Sequence, residues 1–304
     1  MQALATAVFP VFLLILLGYL LRWRGWLADA FWEPAERLCY FVLLPALLIG
    51  SLARADFAAV PAVAVAGAVV LAILVMTALL LAVQLATRGD GPAFTAVLQT
   101  SIRPNTYIGL SIPFALYGDD GLAIAALIVA VVVPTVNLIS VAALVRYGGA
   151  YAGHNPRLLR AVVLNPLILA SLAGLALNLT GLGLPPVADE TLAILARAAL
   201  PLALLAVGAG LDLAAARASG TRVGVAVVLK LAALPALTAA ACWLLGVGGL
   251  AWTVALVFNA LPAATSSYIL ARQMGGAPGL VANILTVQTL AAAVTLPLLV
   301  LLVV

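Results

Sequence analysis

The chain has 304 residues, of which 66% are hydrophobic and 8% charged, and its mean hydropathy is +1.27. A soluble globular domain usually has about 25% charged residues, so this composition excludes that class. The net charge of +4 is small, and basic residues in a membrane protein report its orientation, so nucleic-acid binding is not expected.

Ten hydrophobic segments follow one another along the chain, each near the ~20 residues that cross a hydrocarbon core of ~30 Å. The predicted spans are 3–21, 31–53, 60–86, 92–118, 121–145, 158–178, 188–211, 220–246, 250–275 and 279–303. Arg22 and Arg24 follow the first span and no basic region precedes it, which favours a retained helix over a cleaved signal peptide. We therefore predict an all-α membrane protein with ten transmembrane helices in contact with membrane lipid and no soluble domain.

The second half of the chain repeats proline, glycine and aspartate positions of the first. Pro10, Gly18, Gly25, Pro45 and Asp56 recur 156 residues later as Pro166, Gly174, Gly181, Pro201 and Asp212, and a shift of 158 maps Pro104, Gly118 and Gly121 onto Pro262, Gly276 and Gly279. This predicts two repeats, 1–145 and 158–304, joined by a connector at 146–157. Because each has five spans, they should be inverted in the bilayer, an arrangement typical of secondary transporters with a substrate site at broken helices.

The basic residues near the predicted loops lie almost entirely on one side of the membrane. That side has Arg22, Arg24, Arg37, Arg88, Arg146, Arg157, Arg160, Arg217, Arg222 and Arg272, and the other has Arg54. By the positive-inside rule, the connector is cytoplasmic and both termini are periplasmic. The expected location is the inner (plasma) membrane, with multiple passes.

Spans four and nine each contain a proline beside a polar cluster, in the segments 100–109 and 259–268. Pro104 and Pro262 lie about twelve residues into their spans, roughly 18 Å deep and near the bilayer centre. Proline has no N–H to donate, and its ring clashes with the carbonyl four residues back. The backbone groups that lose their helical partners cannot form hydrogen bonds with hydrocarbon. A simple kink is the alternative, but the matched depth favours helices broken and crossing at a polar cavity at the midplane.

Cations without intramembrane carboxylates indicate an anionic substrate. Arg103 lies near the midplane and Lys230 roughly 12 Å deep, and the central third of every span lacks a carboxylate. A sodium/proton antiporter would need buried aspartates. The second halves of the broken helices also present positive N-terminal ends. The candidate substrate-binding residues are Arg103, Asn105, Thr106, Tyr107, Thr265, Ser266, Ser267 and Lys230.

Several polar residues have a structural alternative. Lys230 could brace carbonyls freed in a broken helix instead of binding substrate. Weaker candidates, better explained as hydrogen-bonding links between helices, are Asn137, Asn283, Gln99 and Gln288.

No residue pattern indicates a cofactor, a metal or an enzyme. Cys39 and Cys242 lie in separate helices and His154 stands alone in a loop. The sequence has neither a Gly-X-Ser-X-Gly nor a His-Glu-X-X-His motif, so we expect no metal, no cofactor and no enzymatic activity.

Three motifs carry a resemblance to a known family. They are the run from Arg103 to Leu110 continuing to Tyr117-Gly118, the pair Leu44-Pro45, and Leu261-Pro262 with its polar tail. Over essentially its whole length, the chain resembles the auxin efflux carrier family of bacterial permeases. These are relatives of the plant PIN proteins in the superfamily that includes bile acid sodium symporters.

The resemblance implies ten helices with outward termini, a scaffold of helices 1, 2, 6 and 7, and a mobile transport core of helices 3, 4, 5, 8, 9 and 10. It implies that Asn105 is the crossover asparagine, that helices 4 and 9 cross at Pro104 and Pro262, and that substrates are organic anions. Those include auxin in plants and carboxylates such as malonate or malate proposed for bacterial members. The long cytoplasmic loop of the plant proteins is missing, so control through it does not carry over and auxin is a poor expectation.

The sequence thus predicts a secondary active transporter, a permease or efflux carrier, for a small organic anion, working by elevator-like alternating access. A sodium-coupled organic anion symporter of bile-acid type is the alternative, and a sensor that binds without transport is another. The anion, the direction, the coupling ion and the oligomeric state stay open, with a homodimer as one possibility.

Overall fold

The structure, a computed structural model, describes residues 2–56, 61–149, 164–214 and 220–303. Within these ranges the chain is all-helical, with eleven helices. They are α1 (Gln2–Trp23), α2 (Asp29–Arg54), α3 (Ala62–Thr87), α4 (Gly91–Ile102), α5 (Thr106–Tyr147), α6 (Pro166–Thr180), α7 (Pro186–Ala209), α8 (Thr221–Leu244), α9 (Gly249–Asn259), α10 (Ser266–Met274) and α11 (Pro278–Val303). Outside the described residues lie most of the predicted connector, the start of the sixth predicted span, His154, Arg157, Arg160 and Arg217.

Six of these helices are long and apolar enough to cross a membrane, namely α2, α3, α5, α7, α8 and α11. Shorter apolar helices are Val8–Trp23 within α1, α6 and α9. The length and composition of these helices agree with the predicted multi-pass, all-α membrane architecture.

The described helices divide two of the predicted spans at their prolines. Predicted span 92–118 corresponds to α4 and the start of α5, and span 250–275 corresponds to α9 and α10. The predicted boundary near residue 118 lies inside α5, where Gly118 has φ 60° and ψ −141° and interrupts the helical geometry. Glycine is needed there because a side chain strongly disfavours such a positive φ.

Two helices contain a five-residue π-helical segment directly before a Leu-Pro pair. Cys39–Leu43 precedes Leu44-Pro45 in α2, and Leu229–Ala233 precedes Leu234-Pro235 in α8. A proline ring clashes with the carbonyl four residues back in an α-helix, and the wider turn gives the ring room. Both helices therefore continue through their prolines instead of ending there.

The chain divides into two compact units. The first comprises Met1–Ala62, Thr106–Ala130 and Leu164–Leu211, and its helices α1 and α7 pack together, as do α2 and α6. A Cβ atom at Gly18 would lie 2.0 Å from the carbonyl oxygen of Leu205, and one at Gly174 would lie 2.9 Å from that of Ile49. Glycine at these crossings lets two backbones touch, as is common in membrane helix pairs.

The second unit comprises Val63–Asn105, Val131–Val163 and Asp212–Val304. Within it α4, α8 and α11 pack against one another, and α10 packs on α4 and α11. Buried alanines allow this close packing, as where Ala96 packs with Ala271 and Ala226 packs with Ile284. The second unit contains both proline breaks.

Candidate functional site

The two proline breaks meet in the second unit. Helix α4 ends at Ile102 and α5 begins at Thr106, whereas α9 ends at Asn259 and α10 begins at Ser266. The extended residues between them pair as a short antiparallel bridge between Pro104 and Ala263. In this bridge the backbone N–H of Asn105 donates to the carbonyl oxygen of Pro262 at 2.8 Å.

Backbone groups freed by the prolines find new partners. In an uninterrupted helix, the residue at position 104 would donate to the carbonyl of Thr100, but proline has no N–H. The Thr100 carbonyl instead accepts from Nε2 of Gln288 at 3.2 Å. The N–H of Ala263, just after the second proline, donates to Oε1 of Gln288 at 3.0 Å. The breaks are thus built without leaving these groups unsatisfied in a dry interior.

Arg103 occupies the end of α4 next to this bridge. Its side chain is 6% exposed, and its Nη1 donates to Oγ of Ser266 at 3.2 Å. Ser266 is the first residue of α10, so the guanidinium lies beside the positive end of a helix dipole. Two sources of positive potential therefore meet at the second break, which is the electrostatic environment that a bound anion needs.

Lys230 lies in the π-helical segment of α8 and is fully buried. Among the described residues, its Nζ has no hydrogen-bond acceptor. Helices α4 and α11 pack against that segment and contain no aspartate or glutamate, and neither does α8 itself. Lys230 is therefore a buried cation of the second unit to which α4, α8 and α11 offer no carboxylate.

The other predicted site residues divide between the two units. Asn105 is buried at the first break, Thr265 and Ser266 are half-buried at the second, and Ser267 is buried. Thr106 and Tyr107 open α5 and belong to the first unit, where Tyr107 is buried and its carbonyl accepts from the Ser111 hydroxyl. The second unit therefore brings together Arg103, Asn105 and the hydroxyl-bearing residues of the Ala263–Ser267 turn.

Gln288 of α11 is the residue whose importance the sequence understates. It is fully buried, and besides its bonds to Thr100 and Ala263 its Nε2 donates to the carbonyl of Ala226 at 2.9 Å. It was predicted to link helices, and it does so. Gln99, predicted to act in the same way, donates instead within its own helix, to the carbonyl of Thr95 at 3.2 Å. The two glutamines could not be told apart without knowing which way each side chain points.

Two further observations concern metal binding and a cleft elsewhere in the second unit. In the described part of the chain, no group of three or more His, Cys, Asp or Glu side chains could hold a metal ion. Elsewhere in the second unit, a cleft of about 480 Å³ has Asp90 and Arg222 on its walls, 3.8 Å apart. None of the predicted substrate-binding residues lines that cleft.

Comparison with known proteins identifies the class. A family model described as "Membrane transport protein" matches residues 3–152 and 153–300. The chain is also 25% identical over 293 residues to an "Uncharacterized transporter" of Methanothermobacter thermautotrophicus, which covers 96% of this chain and 95% of that protein. The family description is of membrane transport, and the relative is described as a transporter.

Proposed function

Because the chain belongs to the membrane transport protein family and is a transporter rather than an enzyme, we propose that it carries a small organic anion, with a carboxylate as the substrate class. We further propose that it is a secondary active permease. The family is of the auxin efflux carrier type, in agreement with the resemblance found in the sequence. The relation to bile acid sodium symporters stays a prediction.

The observation that carries the proposal is the charge at the two breaks. Arg103 is buried beside the N-terminus of α10, and α4, α9, α10 and α11 contain no acidic residue. A guanidinium beside the N-terminal end of a helix provides positive potential that attracts an anion. A substrate carboxylate can supply negative charge to the planar guanidinium through two parallel hydrogen bonds. A cationic substrate would instead be repelled by the same groups.

The remaining candidates then have distinct roles. The Asn105 side chain offers an amide donor, and Thr265, Ser266 and Ser267 offer hydroxyls to the second carboxylate oxygen or to a substrate hydroxyl. Thr106 and Tyr107, at the start of α5, stay predicted substrate-binding residues of the first unit. Lys230 either contributes a second positive charge or braces the broken helices, and its substitution distinguishes the two roles.

We also propose the ten-span inverted repeat, with Pro104 and Pro262 crossing at the midplane. Support comes from two contacts in the first unit. Gly18 touches Leu205, and Gly174 touches Ile49. The 156-residue shift that relates Gly18 to Gly174 also relates Ile49 to Leu205. The same shift therefore relates the two contacts, which supports a pseudo-two-fold relation between the halves.

The transport mechanism and orientation complete the proposal. Predicted helices 1, 2, 6 and 7 act as the scaffold and helices 3, 4, 5, 8, 9 and 10 as the transport core in an elevator-like movement. The protein resides in the inner membrane, with both termini periplasmic because the loop arginines lie almost entirely on the opposite side.

The test is binding followed by flux. Purified protein is screened by thermal shift against acetate, malonate and malate, with choline as the cationic control. A ligand at 100 times its dissociation constant stabilises by about 2.7 kcal/mol. Active ligands are then followed into proteoliposomes with and without a sodium gradient. Carboxylate flux that needs no sodium supports the proposal, sodium-driven flux favours the bile-acid-type symporter, and absence of any carboxylate binding or flux refutes both.

A further inference from the structure

We propose that Gln288 is the positioning residue of the anion site, holding three chain segments that carry its charged and polar groups. The inference rests on the proposed function and deepens it. The side chain is fully buried in α11 and makes three hydrogen bonds to three different segments of the second unit. A glutamine amide offers two N–H donors and one carbonyl acceptor, and both ends are used here.

The first segment is the end of α4. Gln288 Nε2 donates to the Thr100 carbonyl, the group that lost its helical donor to Pro104. Arg103 follows three residues later and Asn105 two residues after that. Arg103 is still attached to the helix, because its N–H donates to the Gln99 carbonyl at 3.0 Å. The orientation of this last turn therefore sets the position of the guanidinium.

The second segment is the turn after Pro262. Gln288 Oε1 accepts from the N–H of Ala263, and the carbonyl of Pro262 accepts from Asn105. Ser266, the partner of Arg103, lies three residues after Ala263. The Gln288 amide thus connects the two breaks through α11. The Pro104–Ala263 bridge and the Arg103–Ser266 hydrogen bond connect them directly.

The third segment is the α-helical turn of α8 that directly precedes its π-helical segment. The second N–H of Nε2 donates to the Ala226 carbonyl at 2.9 Å, one turn before Lys230. That carbonyl also accepts from the backbone N–H of Leu229, so its two lone pairs serve the helix and Gln288. The Gln288 side chain is therefore hydrogen-bonded both to the end of α4, which carries Arg103, and to α8, which carries Lys230.

The test compares two substitutions with a matched control on the same helix. Gln288→Glu keeps the size and the acceptor for Ala263 but loses both N–H donors, whereas Gln288→Leu loses all three bonds. Thr289→Val is the control, because the Thr289 hydroxyl donates only within α11, to the Leu285 carbonyl at 2.8 Å. Dissociation constants for malonate and melting temperatures are measured on the same preparations.

If Gln288 positions the site, both Gln288 variants bind malonate at least roughly tenfold more weakly in the protein that remains folded. Thr289→Val stays within about twofold of wild type. Wild-type affinity in folded Gln288→Glu and Gln288→Leu overturns the proposal, even when the melting temperature falls. Loss of folded protein in both variants also overturns it, because the role is then structural.

Amide hydrogen exchange separates this inference from the proposed function. In Gln288→Leu the Ala263 N–H has lost its acceptor, so peptides covering 260–267 should exchange faster than in Thr289→Val. If wild type binds neither acetate, malonate nor malate, the anion proposal fails, and the exchange result alone then judges Gln288. Unchanged exchange in these peptides overturns its positioning role whatever the substrate.

Discussion

Removal of the Arg103 guanidinium should weaken anion binding more than any other single change at the breaks. Arg103 is 6% exposed and its charge is held toward the start of α10 by Ser266. A hydrogen bond to a charged group contributes about 1.5–3 kcal/mol, so Arg103→Ala should raise the dissociation constant roughly tenfold to a hundredfold. Arg103→Lys should recover part of the affinity, because lysine keeps the charge but lacks the planar fork.

The loss of affinity expected in Arg103→Ala can be compared with that expected in two other variants of the second unit. Asn105→Ala removes a neutral donor worth nearer 1 kcal/mol and should cost about fivefold in affinity. Arg222→Ala is the matched control for charge. Its side chain is 61% exposed, and its ion pair with Asp90 spans 3.8 Å, a type of pair that contributes about 0–1 kcal/mol. We expect wild-type affinity in this control.

The assay measures affinity and melting temperature on one preparation of each variant. Isothermal titration with the carboxylate that binds wild type gives the dissociation constant, and a thermal melt gives the stability. A folded Arg103→Ala protein with wild-type affinity would remove Arg103 from the site. If the melting temperature falls and the affinity does not, Arg103 only braces the two breaks. An Arg222→Ala protein that loses affinity equally would show that the effect is one of overall charge.

Two further predictions concern the scaffold and the orientation. Gly18→Ala should destabilise the protein by about 1–3 kcal/mol through overpacking, because its Cβ would lie 2.0 Å from the Leu205 carbonyl, whereas Gly224→Ala, with nothing within 4 Å, should not. Equal melting temperatures of the two variants would contradict the described α1–α7 contact. Alkaline phosphatase fused to the C-terminus should be active if that end is periplasmic, and a fluorescent protein that folds only in the cytoplasm should stay dark there. The reverse pattern would invert the proposed topology.

The positions of the breaks were predictable because proline acts locally. A missing N–H and a steric clash within one turn are properties of the residue itself, and α4 and α9 end two and three residues before their prolines. The same local clash has a different outcome at Pro45 and Pro235. There the chain forms a π-helical turn instead of a break. At the two breaks, another helix supplies partners for the Thr100 carbonyl and the Ala263 N–H, and the sequence does not record those partners.

The partners of Gln288 were not predictable for that reason. Thr100 and Gln288 are 188 residues apart, and the bond forms only because α4 and α11 pack together. Gln99 and Gln288 look alike in sequence, since each is a glutamine in an apolar helix. Only the direction of the side chain makes one a link between segments and the other an internal bond of α4.

The sequence repeat is carried by the residues that the fold needs and not by those proposed to bind the anion. Glycines and prolines recur because close helix contacts and helix breaks have to be made in each half. At the 158-residue shift, however, the positions matching Arg103, Asn105, Lys230 and Gln288 are Leu261, Ala263, Ala72 and Ala130. A single anion needs one set of charges, and a second buried cation at the matching break would have no counter-charge and a high desolvation cost. We therefore expect substitutions at Pro104 and Pro262 to have similar effects on anion affinity. Substitutions at Arg103 and Leu261 should differ in their effects on anion affinity.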